Sequence, residues 1–272
     1  MVAISIRPAA RIPLAIAASL LSEARGEVGA AAHLLRTGGA GIWAPAAPAV
    51  LLHGRRPAPV MLVHGLGADS SCFAPMAAAL HRGGHTVYLV NYSCLGVDIA
   101  SCGRQLAMEA ARLRERTGAR QLHVVAHSLG GVVLRWAVAN TRMGDWVGTA
   151  VTLGSPHNGS PLARLAPSGL PGFGPMIRQL RPVGSQRTSE HTGRRVADDG
   201  AACVPTQVRW VAVAAQLDWI VPPRFALLPE SPNVRNVVLP GGGHLSLPGD
   251  DRCLGLVQDE LDAAGSELQD AA

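Results

Sequence analysis

The sequence predicts an α/β protein in which helices flank a mostly parallel central sheet. The first observation is that short apolar runs rich in β-branched residues alternate with segments of helical spacing from about residue 58 onward. The second is that these runs are apolar at nearly every position, which is typical of parallel strands buried on both faces. The third is length, because 272 residues with 48% hydrophobic side chains can bury a large core.

Residues 1–57 are predicted to form an N-terminal helical and linker segment. The apolar stretch IPLAIAASLL follows Arg7 and Arg11 and fits either the core of a signal peptide or a membrane-associated helix over about residues 10–36. The stretch is too short to span a bilayer, so no full-length transmembrane helix is expected. Peripheral contact with a membrane or lipid interface therefore stays open, as does a cytoplasmic, secreted or cell-envelope location.

Six strands and four helices are predicted in order beyond that segment. The strands cover 59–65, 85–93, 122–128, 146–155, 207–216 and 233–241. Apolar residues at helical spacing predict helices over 71–82, 98–116, 129–140 and 250–263. These elements define a domain over residues 58–265, followed by a C-terminal tail over 266–272.

Residues 157–205 interrupt the alternation of strands and helices. Prolines among apolar residues come first, followed by the polar stretch GSQRTSEHTGRRVADDG. A segment of this length without a strand pattern is typical of an insertion with a function of its own. We therefore predict a cap or lid inserted in the domain.

Ser128 lies where a predicted strand ends and a helix begins, in the stretch VVAHSLGG. Its neighbours two positions away, Ala126 and Gly130, are small, as a nucleophile elbow requires, because the serine there occupies a strained turn between strand and helix. The usual pattern is G-x-S-x-G, and here Ala126 replaces the first glycine. The alternative for so short a motif is a plain turn.

A serine nucleophile needs a histidine to take its proton and a carboxylate to orient that histidine. Where the serine lies at such an elbow, the acid and then the histidine follow it along the chain. Of the ten histidines, only His244 lies beyond the last predicted strand, in the glycine-rich loop PGGGHLSLP. Asp218 directly follows the strand 207–216. We predict Ser128, Asp218 and His244 as the catalytic residues.

The stretch HGLG, residues 64–67, directly follows the first strand of the predicted domain. A backbone amide at that point and the amide after the nucleophile can together bind an oxyanion. The predicted donors are the N–H groups of Leu66 and Leu129.

Five motifs in this order resemble the bacterial triacylglycerol lipase and esterase branch of the α/β-hydrolase family, over roughly residues 58–263. They are LVHGLG, AHSLGG, TLGSPHNGS, LDWIVPP and GGGHLSLP. The resemblance implies an α/β-hydrolase fold, no cofactor, and a lipid or small acyl ester as substrate. It also implies that His157 has a structural role in its loop. Ala126 and the N-terminal 55 residues depart from the family pattern.

Two further features of composition bear on partners. The net charge is +5 and the 24 basic residues are all arginines, but they are scattered and aromatic residues make up only 4%, so no nucleic-acid partner is expected. The five cysteines form no C-x-x-C pair, so no metal site is expected. Whether they are buried thiols or form disulfides stays open, and so does the oligomeric state.

The function expected from these residues is hydrolysis of lipid-like carboxylic esters through an acyl-enzyme. An acyltransferase would use the same three residues, with an alcohol in place of water, and the sequence does not separate the two. A non-catalytic lipid-binding or interaction protein is the third alternative, although such a protein would not need the serine, aspartate and histidine together.

Overall fold

The centre of the computed structural model is a seven-stranded sheet. The structure describes residues 49–94, 96–165, 174–181 and 204–270. The strands are β1 (Val50–Leu52), β2 (Val60–Val63), β3 (Val87–Val90), β4 (Leu122–His127), β5 (Val147–Leu153), β6 (Arg209–Ala215) and β7 (Val234–Leu239). Their order across the sheet is β1-β3-β2-β4-β5-β6-β7. β1 is antiparallel to β3, and every other neighbouring pair is parallel.

Helices connect the strands and cover the sheet. Those in the described ranges are α1 (Ala74–Arg82), α2 (Ile99–Thr117), α3 (Leu129–Asn140), α4 (Leu162–Leu165), α5 (Gly174–Gln179), α6 (Pro223–Ala226) and α7 (Asp251–Asp270). The two ends of α2 show how the sequence determines where a helix begins and ends. Asp98 caps its first turn by accepting a hydrogen bond from the Ser101 amide at 2.8 Å, and Gly118 ends it with a φ of 68°.

Apolar side chains fill the space between helices and sheet on both faces. In β2, Met61 and Val63 belong to a buried cluster that includes side chains of α2 and α3. Val60 and Leu62 point to the other face, in a cluster with side chains of α1 and α7. This two-sided burial is the reason why the strands are apolar throughout, and it confirms the predicted α/β class.

Two predicted boundaries differ from the structure. β1 lies within the segment assigned to the N-terminal helix and linker over 1–57, and it pairs with β3. Three residues are too short for an alternation signal, which is why the sequence pattern did not reveal this strand. At the other end, α7 continues to Asp270, so most of the predicted tail over 266–272 is helical.

The predicted cap or lid, 157–205, is described only in part, since 166–173 and 182–203 lie outside the described residues. Within the described part, Met176 and Ile177 of α5 are buried in the cluster that includes α2 and α3. The side-chain oxygen of Gln179 accepts a hydrogen bond from the Ile99 amide at 2.9 Å. α5 therefore packs on the start of α2.

The N-terminal stretch and its membrane alternatives are not settled by the structure. Residues 1–48, and with them the predicted helix over about 10–36, lie outside the described residues. In the described part, no helix is both long and apolar enough to cross a bilayer.

Buried neutral histidines are expected to make the fold sensitive to acid. Burial lowers the pKa of His123 to about 4 and that of His127 to about 3, and it also lowers the pKa of His64, His85 and His157. An unfolded histidine titrates near 6.5, so below that pH the unfolded chain binds more protons than the native one. The contribution of these buried neutral histidines to the free energy of unfolding is complete above about pH 6.5. We expect this contribution to be lost as the pH falls toward about 4.

The measurement is the free energy of unfolding in urea between pH 8 and pH 4. A His123→Leu variant removes one of these groups, whose Nδ1 has no hydrogen-bond partner. We expect this variant to lose less stability than the wild type over the acid half of the range. His81→Leu, at an exposed histidine of α1, serves as the control. Equal pH slopes for the His123 variant and the wild type would contradict the prediction.

Candidate active site

The carboxyl ends of β4, β6 and β7 bring the three predicted catalytic residues to one edge of the sheet. Ser128 directly follows β4, Asp218 lies in the turn after β6, and His244 lies in the loop after β7. Because these strands are parallel, their carboxyl ends share one edge. Residues far apart in sequence therefore meet there.

Ser128 has the strained backbone of a nucleophile elbow. Its φ is 53° and its ψ is −126°, and it is the one non-glycine residue with positive φ in the part of the chain that the structure describes. Its amide donates to the Leu153 carbonyl of β5 at 2.8 Å, which holds the turn against the sheet. Ser128 is half-buried, so its hydroxyl is accessible at the sheet edge.

Residue 130, two positions after Ser128, must be a glycine because backbone carbonyl groups lie very close to it. A Cβ there would lie 2.6 Å from the carbonyl oxygens of both Val63 and His64. Backbone atoms cannot move aside as a flexible side chain can. Ala126, by contrast, is fully buried in β4, and the structure accommodates its methyl group.

We expect Gly130→Ala to destabilise the protein by about 3 kcal/mol, at the upper end of overpacking costs. The matched variant Ala126→Gly should cost only about 1 kcal/mol, because it removes a methyl group and adds backbone freedom. Thermal unfolding should therefore show a drop of roughly 6–12 °C for the first variant. Equal melting temperatures for the two variants would show that the contact at Gly130 is not restrictive.

Ser128, His244 and Asp218 form a continuous chain of hydrogen bonds. His244 Nε2 lies 2.9 Å from Ser128 Oγ, and His244 Nδ1 lies 2.7 Å from Asp218 Oδ2. The Asp218 carboxylate accepts a hydrogen bond from His244 Nδ1, so Nδ1 carries the proton of the neutral ring. His244 Nε2 is therefore free to accept the serine proton. The structure thus brings together the three residues predicted from the sequence.

Asp218 is held in place from two sides. Its Oδ1 accepts the amide of Val221 at 2.7 Å, and the residue is buried. Gly154, with a φ of 57°, closes the space beside it, since a Cβ there would lie 3.1 Å from His244 Nδ1 and 3.2 Å from Asp218 Oδ2. The glycine of TLGSP therefore permits the end of β5 to approach the aspartate–histidine pair.

The stretch HGLG lies directly against the serine. A Cβ on Gly65 would lie 2.8 Å from Ser128 Cβ and 3.4 Å from its Oγ, so the backbone leading to Leu66 passes beside the hydroxyl. Leu129 begins α3, and the first amides of a helix have no partner within the helix. The stretch that carries Leu66 therefore lies beside Ser128, and Leu129 directly follows Ser128 in the chain.

His64 and Tyr92 support this loop, and the sequence analysis did not assign either residue to the site. Their rings stack with centroids 4.6 Å apart, and the Tyr92 hydroxyl donates to the His64 carbonyl at 2.8 Å. His64 Nδ1 lies 2.9 Å from the Gly65 carbonyl oxygen. Burial lowers the pKa of His64, so the ring is neutral and Nδ1 donates that hydrogen bond. In the sequence, this pair is indicated only by a histidine directly before GLG and a tyrosine at the end of the next predicted strand.

His127 is a second group that sequence reasoning did not assign. Its Nε2 lies 3.0 Å from the carbonyl oxygen of His244, and the two rings are 4.9 Å apart. Burial lowers the pKa of His127 to about 3, so the ring is neutral and its N–H donates to that carbonyl. The residue before the serine therefore holds the backbone of His244.

His157 lies in a buried polar group beside the site. Its Nε2 lies 3.0 Å from Thr152 Oγ1, and its carbonyl accepts a hydrogen bond from Arg135 at 3.1 Å. Burial holds the pKa of His157 well below its usual value and lowers that of Arg135 to about 10. These contacts hold the loop after β5 against α3, in agreement with the structural role expected for His157.

No group of three or more histidine, cysteine, aspartate or glutamate side chains in the described residues could hold a metal ion.

The sheet and the strained turn at Ser128 are those of the α/β-hydrolase fold. A family model described as alpha/beta hydrolase fold matches residues 58–191. Among solved structures, the mature form of a Bacillus licheniformis lipase covers 79% of this chain and 98% of its own, with a TM-score of 0.64 and 17% identity. A monoacylglycerol lipase of Paleococcus ferrophilus covers 80% and 98%, with a TM-score of 0.55 and 15% identity.

The chain has the α/β-hydrolase fold over the matched region, and the proteins that it is similar to include bacterial triacylglycerol lipases. The lipase of Burkholderia plantarii is 32% identical over 152 residues, which are 52% of this chain and 42% of the relative. The lipase of Vibrio cholerae is 33% identical over 118 residues, which are 42% and 37%. The matched region spans less than half the length of these relatives.

Proposed function

We propose that this protein is a serine hydrolase that cleaves carboxylic esters of lipid-like substrates through an acyl-enzyme. The observation that carries the proposal is the chain of hydrogen bonds from Ser128 through His244 to Asp218 at the sheet edge. Its geometry meets the requirement that nucleophile, base and orienting acid lie within hydrogen-bond reach.

In the first half of the reaction, His244 Nε2 takes the hydroxyl proton as Ser128 Oγ attacks the ester carbonyl. Asp218 stabilises the imidazolium that forms, because its carboxylate accepts the Nδ1 proton at 2.7 Å. The negative charge moves to the carbonyl oxygen, where the amides of Leu66 and Leu129 donate to it. One such donor typically contributes about 3 kcal/mol to transition-state stabilisation.

In the second half, the imidazolium gives its proton to the leaving alcohol, and the acyl group stays on Ser128. A water molecule then attacks the acyl-enzyme while His244 again accepts the proton. The carboxylic acid leaves and the serine hydroxyl is restored.

Apolar groups at the rim support a lipid-like substrate rather than a sugar or a peptide. Leu66 and Trp219 are 38% and 51% exposed, and they lie in the oxyanion stretch and directly after Asp218. Exposed large apolar side chains beside a reactive centre favour an acyl chain as ligand, because binding removes the apolar surface of both the acyl chain and these side chains from water.

The test is hydrolysis of p-nitrophenyl butyrate and p-nitrophenyl palmitate by the full chain, with and without an added acceptor alcohol. We expect free acid as the main product, and the ratio of the two rates will separate an esterase from a lipase. Release of p-nitrophenol with the acyl group recovered mainly on the alcohol would instead assign the protein as an acyltransferase.

A fluorophosphonate probe tests the serine directly. It should modify Ser128 in the tryptic peptide 121–135, which trypsin releases by cleavage after Arg120 and after Arg135. Folded protein that neither hydrolyses the esters nor takes the probe would contradict the proposal and favour a non-catalytic lipid-binding protein.

A further inference from the structure

The oxyanion stretch, residues 64–67, is held by two residues that follow β3. The Tyr92 hydroxyl donates to the His64 carbonyl at 2.8 Å, and the two rings stack with centroids 4.6 Å apart. The Asn91 side-chain oxygen accepts a hydrogen bond from the Ser70 amide at 2.8 Å, a few residues beyond the stretch. Contacts from the end of β3 therefore fix the chain at the start of the stretch and again beyond its end.

Two hydrogen bonds define where the neutral His64 ring carries its proton. The Tyr92 amide donates to His64 Nε2 at 3.4 Å, so Nε2 is the acceptor and the proton lies on Nδ1. Nδ1 lies 2.9 Å from the Gly65 carbonyl oxygen and donates to it. The backbone of Tyr92 thus selects the His64 tautomer that can bind the Gly65 carbonyl.

The Gly65 carbonyl belongs to the same peptide unit as the Leu66 amide. In a trans peptide the C=O and N–H bonds point in opposite directions, so fixing the carbonyl also fixes the direction of the amide. The Gly65 carbonyl accepts the Ala68 amide as well, at 3.4 Å, which closes a turn around Leu66. Among the described residues, none accepts the Leu66 N–H. This donor is therefore oriented and still free to bind a ligand.

The strand order places Tyr92 and Ser128 on different sides of the oxyanion stretch. β2, which leads into the stretch, lies between β3 and β4 in the sheet. Tyr92 follows β3, and Ser128 follows β4. A Cβ on Gly65 would lie 3.4 Å from Ser128 Oγ, so the stretch passes close to the hydroxyl. The contacts that hold the stretch and the hydroxyl that it faces thus come from different neighbouring strands.

We propose that Tyr92 is a positioning residue that orients the oxyanion donor Leu66 through His64. It keeps the Gly65–Leu66 peptide turned so that its N–H faces the oxyanion formed at Ser128, before any ester binds. A donor held in this way needs no reorganisation during the reaction, and such donors stabilise developing charge well. The inference rests on the proposed function, since the oxyanion forms only when Ser128 attacks an ester.

The first test compares Tyr92→Phe with Tyr88→Phe, because these are the two tyrosines of the chain. Both are buried and each variant loses one hydroxyl hydrogen bond, but Tyr88 donates to Glu109 of α2, at 2.6 Å. Loss of a whole oxyanion donor lowers kcat on the order of 10²–10³-fold. Tyr92→Phe leaves the donor present but less firmly held, so we expect kcat for p-nitrophenyl butyrate to fall about 10-fold with KM unchanged.

Tyr88→Phe should keep the wild-type kcat. Thermal unfolding should show similar losses of melting temperature for the two variants, since each loses one buried hydrogen bond. A selective fall of kcat in Tyr92→Phe would then reflect the site and not the stability of the fold. Equal kcat values for the two variants would overturn the proposal.

His64→Asn and His64→Leu form a second pair, which differs in one property. The asparagine NH₂ group can replace Nδ1–H as the donor to the Gly65 carbonyl, whereas leucine has nearly the same shape and no donor. Both variants lose the ring that stacks on Tyr92, so a purely structural role of that ring predicts equal losses of kcat. We expect His64→Asn to retain several-fold more kcat than His64→Leu, and equal values would contradict orientation through this hydrogen bond.

Isotope labelling observes the peptide without relying on kinetics. Glycine labelled with ¹³C at the carbonyl and leucine labelled with ¹⁵N mark only peptides in which leucine follows glycine. The chain has three of them, 65–66, 169–170 and 255–256. Leu66→Met identifies the signal of 65–66, because that variant lacks it. We expect Tyr92→Phe to shift this signal and Tyr88→Phe to leave it in place.

The fluorophosphonate adduct of Ser128 tests the direction of the amide, because its phosphoryl oxygen can occupy the oxyanion position. We expect the Leu66 amide proton to move downfield when the wild type is modified, and to move less in modified Tyr92→Phe. The same movement in both proteins would show that Tyr92 does not orient the donor.

Failure of the proposed function and failure of this inference have different signatures. A wild type that neither hydrolyses the ester nor takes the probe would overturn both. An active wild type whose kcat and 65–66 signal are unaffected by Tyr92→Phe would overturn only the role of Tyr92.

Discussion

The Ser128→Ala variant is expected to lower kcat/KM for p-nitrophenyl esters on the order of 10⁶-fold, to the level left by binding and oxyanion stabilisation alone. The physical reason is that the hydroxyl at 2.9 Å from His244 Nε2 is that of Ser128, and the methyl group of alanine cannot form the acyl-enzyme. Steady-state kinetics at neutral pH measure the loss. Retention of more than a few per cent of activity would show that Ser128 is not the nucleophile.

Two variants separate lost chemistry from altered folding. Ser231→Ala changes a serine at the opposite edge of the sheet, where its hydroxyl bonds Asn233, and should leave kcat/KM unchanged. Ser128→Gly should be as inactive as Ser128→Ala and more stable, because glycine accepts the φ of 53° that costs serine about 1–3 kcal/mol. Equal melting temperatures for these two Ser128 variants would contradict the strain assigned to the elbow.

The Asp218→Asn variant is expected to reduce kcat about 10⁴-fold with little change in KM. The asparagine oxygen can still accept the Val221 amide, so its NH₂ group faces His244 Nδ1. That donor favours the tautomer with the proton on Nε2, and Nε2 can then no longer accept the serine proton. Kinetics against pH, with thermal unfolding of the same samples, measure both effects.

Asp145→Asn provides the matched control for this substitution. Asp145 lies 64% exposed before β5, at the edge of the sheet away from Ser128, and its partner is Arg142 at 3.6 Å. This variant should keep the wild-type kcat. If Asp218→Asn also kept it, the carboxylate would have no part in orienting His244.

The predicted site residues could be placed because the fold orders them along the chain. Parallel strands end at one edge, so a serine at a strand-to-helix turn, an aspartate after a later strand and a histidine after the last one are expected to meet. The distances of 2.9 and 2.7 Å in the structure agree with that expectation. The strands could also be predicted from the fold, because burial on both faces of the sheet makes nearly every strand residue apolar.

The sequence pattern did not reveal elements and contacts that depend on packing. β1 is a three-residue edge strand paired to β3, with no periodicity to detect. The hydrogen bond from His127 joins residues 117 apart, and that from Tyr92 to His64 joins residues 28 apart. For a histidine or tyrosine in an apolar run, the neighbouring residues in the sequence do not indicate its hydrogen-bond partner.

The sequence by itself determined the α/β class, the serine elbow and the order of serine, acid and base, because each follows from local pattern and chain order. Only the tertiary structure decided which groups hold those residues: Gly154 beside Asp218 and His244, His127 on the backbone of His244, and Tyr92 under the oxyanion stretch. The physical reason is that such contacts depend on strand register and side-chain direction across the sheet, which adjacent residues in the chain do not specify.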